Sequence, residues 1–179
     1  MPKSAERIRP SIDYLLKPKS QLTKLLIQMI YVDSIHIAPG SRLPMKAVDS
    51  VVAETQKGLV GDRYHGTTSR HVTLQSLDSL HVASEELGSD VQPNETRRNI
   101  TVVGGTVPRG PGTRVIIGDA VLEVVRVAAP CRLLDDVIGP GAARALHNRA
   151  GSVCRILQGA TISVGDGVMF IDRDAKPCL

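Results

Sequence analysis

From about residue 25 to residue 171 the chain is a succession of short apolar runs, many alternating with polar positions and most separated by glycine or proline. That rhythm predicts strands at 25–37, 47–55, 71–75, 100–103, 114–117, 120–128, 153–157, 161–164 and 168–171. Helical spacing is clear once. Leu77, Leu80, Ser84 and Leu87 follow a three-and-four rhythm, with Ser76 placed as an N-cap and Gly88 as a C-terminal stop. A second short helix is expected over 142–148. Many short strands with one or two short helices predict a mainly β protein, a closed or nearly closed β-barrel, because closure removes unpaired strand edges.

Two segments echo each other: 115–121 and 162–168 each set a Gly-Asp pair, Gly118-Asp119 and Gly165-Asp166, between apolar runs. Both are expected to be tight hairpin turns in which glycine takes a positive φ. Residues 1–22 are basic and carry Pro2, Pro10 and Pro18, which reads as a loosely held arm with a short helix near 12–16. The domain proper is expected over 23–172, followed by a tail at 173–179.

Composition narrows the function. The only aromatics are Tyr14, Tyr31, Tyr64 and Phe170 in 179 residues, so the core must be aliphatic. Rows of aromatic side chains that stack bases are missing, and a net charge of +4 is too small and scattered to demand nucleic acid. Cys131, Cys154 and Cys178 are odd in number and far apart. They suit a reducing, cytoplasmic compartment better than a disulfide framework or a metal knuckle. No apolar run reaches about 18 residues, so no membrane span is expected, nor is a signal peptide. The sequons at Asn94 and Asn99 are then chance matches.

Familiar nucleotide and metal signatures are missing. The glycine-rich stretch 104–112 contains no phosphate-loop pattern and reads as a surface loop, and the five histidines make no HExxH. His81 and Glu85, one helical turn apart, read as a solvated pair. Four segments remain: Gly58-Leu59-Val60-Gly61-Asp62-Arg63 running on to Arg70-His71-Val72-Thr73-Leu74; Arg97-Arg98-Asn99-Ile100; Pro130-Cys131-Arg132; and Gly151-Ser152-Val153-Cys154-Arg155 leading to Gly165-Asp166.

In that order and spacing the segments resemble the MOSC domain, the module named after the C-terminal part of molybdenum-cofactor sulfurases. The resemblance covers about residues 25–171 and implies a strand-rich barrel. It also implies that Cys131 carries sulfur as a persulfide or ligates the molybdenum of a pterin cofactor, with basic residues holding the pterin's phosphate. Residue chemistry agrees, since a thiolate is both a soft ligand and a nucleophile. Arg132 and Arg126 could supply electropositive surroundings. Alternation should send Arg97 and Asn99 to one face, where a guanidinium fork and an amide could hold a phosphate, and Arg98 to the other. A solvated arginine pair is the plainer alternative.

Asp62 either orients Arg63 or caps backbone donors, and Gly58 to Arg63 either shape a loop or touch a ligand. Cys154 is expected in the core, its other possible role being a resolving thiol, while Cys178 is expected to be uninvolved. Arg149 and Arg155 could extend the anion site.

Relatives that fuse this module to a pyridoxal-phosphate desulfurase or to an N-terminal barrel need more than 179 residues. Pyridoxal phosphate is therefore not expected. A separate cysteine desulfurase or redox protein is the expected partner, with neither nucleic acid nor membrane. The competing expectation is a non-catalytic barrel that binds an anionic small molecule or a protein.

Overall fold

The computed structural model describes residues 29–172 apart from residue 69. The basic arm, the start of the first predicted strand, the tail and Cys178 lie outside the described residues.

Eleven strands and three short helices follow one another. The strands are β1 (Ile30–Ile37), β2 (Lys46–Val48), β3 (Ser50–Glu54), β4 (Gly58–Leu59), β5 (Val72–Ser76), β6 (Ile100–Val103), β7 (Arg114–Ile117), β8 (Ala120–Val127), β9 (Ser152–Gln158), β10 (Ala160–Ser163) and β11 (Gly167–Ile171). The helices are α1 (Leu77–Leu87) after β5, then α2 (Leu133–Val137) and α3 (Ala142–Ala145) between β8 and β9.

Seven strands close into a barrel in the order β1-β11-β7-β8-β9-β5-β6 and back to β1, with β2 added against β1. Closure is made where Ile30 pairs with Val168 and Tyr31 with Gly167. Neighbours are antiparallel except β5 and β6, which are parallel and joined by a connection that contains α1. A parallel pair needs such a crossover, which explains the one clear helical rhythm in the sequence. Ser76 caps α1 by accepting the Ser79 N–H at 3.2 Å, and Gly88 ends it in a left-handed conformation.

Alternation works as expected on β8, where Ala120, Leu122 and Val124 point inward and are fully buried. With Val115, Ile117, Ile35, Leu74, Ile100 and Ile156 they form an aliphatic core, which the three-stranded sheet β10-β3-β4 extends through Val51, Leu59 and Ile162. A second, smaller core packs Leu80 and Ala83 of α1 against Leu134 of α2 and Ala142 of α3. Cys154 lies in the barrel core at 0% exposure, and burial pushes its thiol far up. A buried, protonated thiol is not available as a resolving partner.

Three expectations are corrected. The 47–55 run is two strands, β2 on the barrel and β3 on the smaller sheet, because the chain changes sheets at Asp49. Gly118 turns the β7–β8 hairpin, but the second Gly-Asp is not a hairpin: β10 pairs with β3, whereas β11 pairs with β7 and β1. Its Gly165 has the foreseen positive φ of 90°, used to pass from one sheet to the other. The helix foreseen over 142–148 is helical only at Ala142–Ala145 and continues as turns, while α2 was not foreseen. No helix among the described residues is long and apolar enough to cross a membrane.

Candidate functional site

Parts of all four segments singled out by sequence meet at one place on the barrel. A pocket of about 220 Å³ is lined by Arg63, Tyr64, Arg70, Arg97, Arg98, Arg126 and Cys131, with Thr96, Ala128, Leu133 and Val153 among its other walls.

Buried Asp62 builds one side. Its Oδ2 accepts the Ala38 N–H and an Asn99 Nδ2–H, both at 3.0 Å, and its Oδ1 accepts the Tyr64 N–H at 3.0 Å. These bonds tie the loop after β4 to the end of β1 and the start of β6, so Arg63 and Tyr64 are held at the rim. Two guanidiniums lie over the Tyr64 ring, Arg63 at 4.7 Å and Arg70 at 4.2 Å from its centroid. Arg70 Nη1 also donates to the Tyr64 hydroxyl at 3.2 Å. Burial pushes the Tyr64 phenol up, but the Arg63 and Arg70 guanidiniums outweigh it and leave the phenol below its ordinary value.

Arg98 forms the floor at 6% exposure. Its Nε donates to the Ala150 carbonyl at 2.9 Å, and its Nη2 to the carbonyls of Ala128 at 3.1 Å and Ala129 at 3.3 Å. The guanidinium thereby fixes the chain just after β8, the stretch that presents Cys131. Nη1 makes no hydrogen bond among the described residues. Burial first, then the charge of Arg70, brings the Arg98 pKa down to about 10. Arg70 and Arg97 are lowered as well, mainly by burial, with neighbouring arginines adding to the effect. Arg70 Nε is buried without a partner among the described residues.

None of these five arginines has a carboxylate within ion-pair distance among the described residues; the ion pairs present join other groups. Five mutually repelling guanidiniums beside an exposed cysteine make a site that an anion stabilises. A larger groove of about 640 Å³ on the barrel differs in this respect, because its Arg155 is neutralised by Glu123 at 2.6 Å.

Cys131, Arg63, Arg97 and Arg98 are therefore brought together, and Arg126 joins them. The alternation expected for Arg97 and Asn99 does not apply: β6 begins only at Ile100, and Arg97 has φ 60°. Arg97 reaches the pocket while Nη1 donates to the Leu43 carbonyl at 2.9 Å.

Asn99 is not in the lining, and its amide is committed. Nδ2 donates to the His36 carbonyl and to Asp62, while Oδ1 accepts from Thr73 N and Oγ1 at 3.1 and 2.7 Å. Asp62 takes the backbone-capping role and stands behind the wall. Arg132 is exposed at the start of α2, outside the lining. Arg149 and Arg155 pair with Glu86 and Glu123 away from the pocket, and His81 forms no ion pair with Glu85.

Arg70 and Tyr64 were within a quoted motif but unassigned. The sequence signal for them was weak, since only the strand order β8-β9-β5-β6 carries residues 63–70 alongside 97–98 and 126–131. No cluster of three or more His, Cys, Asp or Glu residues that could hold a metal occurs among the described residues, and the thiol lining this pocket is the exposed Cys131.

Comparison with solved structures places the same fold in YuaD from Bacillus subtilis, at 19% identity and a TM-score of 0.70 over 78% of this chain and 94% of that one. YiiM from Geobacillus stearothermophilus aligns at 18% identity and a TM-score of 0.66, covering 82% of this chain and 77% of its own. YiiM from Escherichia coli gives 18%, 0.64, 83% and 72% in the same order. No curated protein matches by sequence. A family model for the MOSC domain matches residues 61–169, a span holding every charged and thiol-bearing residue of the pocket. The chain belongs to the MOSC domain family.

Proposed function

We propose that the arginine-lined pocket binds the anionic part of a molybdenum-pterin cofactor and that Cys131 serves there as a soft ligand or as a carrier of sulfur in persulfide form. The observation that carries this reading is the exposed thiol among five guanidiniums that have no ion-paired carboxylate among the described residues. The donor set fits: planar guanidiniums suit phosphate oxygens, and a thiolate suits molybdenum. Drug-sized ligands fill roughly 300–1,000 Å³, so a pocket of about 220 Å³ admits part of such a cofactor and not the whole. Arg98 Nη1, Arg70 and Arg126 would hold the phosphate, and Cys131 would face the metal. When bound, the cofactor supplies redox or sulfur-transfer chemistry. Sulfur then reaches the site from a separate donor, such as a cysteine desulfurase, or electrons from a separate redox protein.

The test is to purify the chain from a host that makes the cofactor and to measure molybdenum, released pterin and persulfide mass in wild type, Cys131→Ser and Arg126→Gln. Wild type should carry cofactor or persulfide, Cys131→Ser should lose molybdenum and persulfide, and Arg126→Gln should retain less pterin. A wild type with neither would refute the proposal. The alternative of a non-catalytic anion-binding barrel draws on the same arginines and predicts that Cys131→Ser changes nothing.

A further inference from the structure

We propose that this pocket accepts a small sulfur oxyanion carrying a sulfane sulfur, thiosulfate being the simplest, and that Cys131 takes the sulfane sulfur from it directly. The inference rests on the reading of Cys131 as a sulfur carrier and goes beyond it by naming the donor's chemistry.

Three observations point to this class of donor. The cavity is small, about 220 Å³, and suits a compact ion. Arg63, Arg70, Arg97, Arg98 and Arg126 have no ion-pair partner among the described residues, with buried Asp62 the acidic group standing behind them, so the pocket favours a multiply charged anion over a neutral thiol compound. Arg98 Nη1 and the exposed Arg126 guanidinium make no hydrogen bond among the described residues. A sulfonate group offers three acceptor oxygens to such donors.

The step balances without any outside oxidant or reductant. Cys131 enters as the thiolate, its proton given to water, and Sγ attacks the sulfane sulfur. The new Sγ–S bond forms as the bond between sulfane sulfur and sulfonate breaks, and sulfite departs with the electron pair. Cys131 is left as a persulfide anion, so the total charge is unchanged. Negative charge grows on the departing sulfonate, where the guanidiniums stabilise it most. A thiol or cyanide can then remove the outer sulfur and regenerate the thiolate.

The experiment incubates the purified full chain with thiosulfate, reads the intact mass, and follows thiocyanate formation when cyanide is the acceptor. Wild type should gain the mass of one sulfur atom and turn over, and Cys131→Ser should do neither. Arg126 is exposed and its side chain makes no hydrogen bond or ion pair among the described residues, so Arg126→Gln should fold normally. It should lower kcat/KM for thiosulfate roughly 10- to 100-fold, the equivalent of one charge-assisted hydrogen bond. Arg144→Gln, on α3 away from the pocket, is the control and should leave kcat/KM unchanged.

A wild type that acquires no sulfur from thiosulfate overturns this proposal. So does a loss in Arg126→Gln no larger than in the control. If the same wild type still carries molybdenum, pterin or persulfide from its host, the cofactor reading stands while the thiosulfate reading falls.

Discussion

Arg98 shows how one side chain can belong to both the fold and the site. Its three hydrogen bonds to Ala150, Ala128 and Ala129 satisfy carbonyls at the two chain segments that flank the helical insertion between β8 and β9. Removing the guanidinium leaves those acceptors without their donor, and buried orphans cost about 1–3 kcal/mol each when water cannot reach them. Arg98→Met should therefore lower stability by roughly 3 kcal/mol, read as a fall in the urea midpoint. Arg98→Lys should recover only part of that, because a lysine cannot direct Nε and Nη2 at separate carbonyls. A loss for Arg98→Met within about 0.5 kcal/mol, as for an ordinary surface change, would show that the three bonds contribute nothing net. The sequence pointed to Arg98 as a member of an arginine pair, yet its partners lie 30 to 52 residues away, and nothing in a local pattern marks them. The same holds for Asn99, whose amide bridges His36, Asp62 and Thr73 from three separate segments. A polar residue beside an apolar strand reads equally well as a ligand donor or as an internal strut, and only the long-range partners decide.

Among the elements, the entry to β9 passes so close to β5 that no side chain fits between them. Gly151, just before β9, has φ 79°, and a Cβ built on it would fall 1.8 Å from the Leu74 carbonyl oxygen and 2.9 Å from Gln75 Cα. Backbone on both sides of that contact is fixed by strand pairing, so the clash cannot be relieved by a side-chain movement. Gly151→Ala should cost roughly 4 kcal/mol or more. Gly165→Ala, with φ 90° but nothing within 4 Å of its Cβ, should cost only about 1–2 kcal/mol for the left-handed conformation. Thermal melts of the two variants side by side test this, and equal losses would mean that φ alone governs both sites.

Elements of this kind were largely legible in sequence. Ile100–Val103 and Arg114–Ile117 have the predicted bounds, while β8 differs by one residue at one end and β9 by one residue at each end. Apolar runs bounded by glycine and proline carry their own limits. What could not be read was which sheet each strand joins, as at Asp49 and Gly165. Nor could α2, whose five residues lack a full amphipathic rhythm and which has no side-chain cap. It packs Leu134 into the small helical core just beyond Cys131, so the surroundings of the thiol depend on an element too short to announce itself.

At the scale of the whole molecule, the pairing of strands distant in sequence sets both the positive pocket and the response to acid. His71 is 1% exposed, and its Nδ1 accepts the Ile156 N–H at 2.9 Å, so β5 and β9 meet over a neutral ring whose proton sits on Nε2. Burial is the main force holding its pKa below the ordinary value, and the charge of Arg155 acts in the same direction. His36, at the β1–β2 pairing, is also lowered by burial, partly opposed by Asp33. Free histidine titrates near about 6.5. Above that pH both folded and unfolded chains hold these rings neutral, and the stability is fully present. As pH falls below it, the unfolded chain takes up protons that the folded barrel resists, so stability declines until the lowered folded-state values are reached. The urea midpoint should therefore fall between about pH 7 and about pH 5, a window above the ordinary carboxylate range near 4. His71→Asn keeps an acceptor oxygen near the position of Nδ1 and cannot take up a proton. Its midpoint should fall less across that window than the wild-type midpoint does, with His36 accounting for the remaining slope. Identical slopes in wild type and His71→Asn would remove His71 as a source of acid lability.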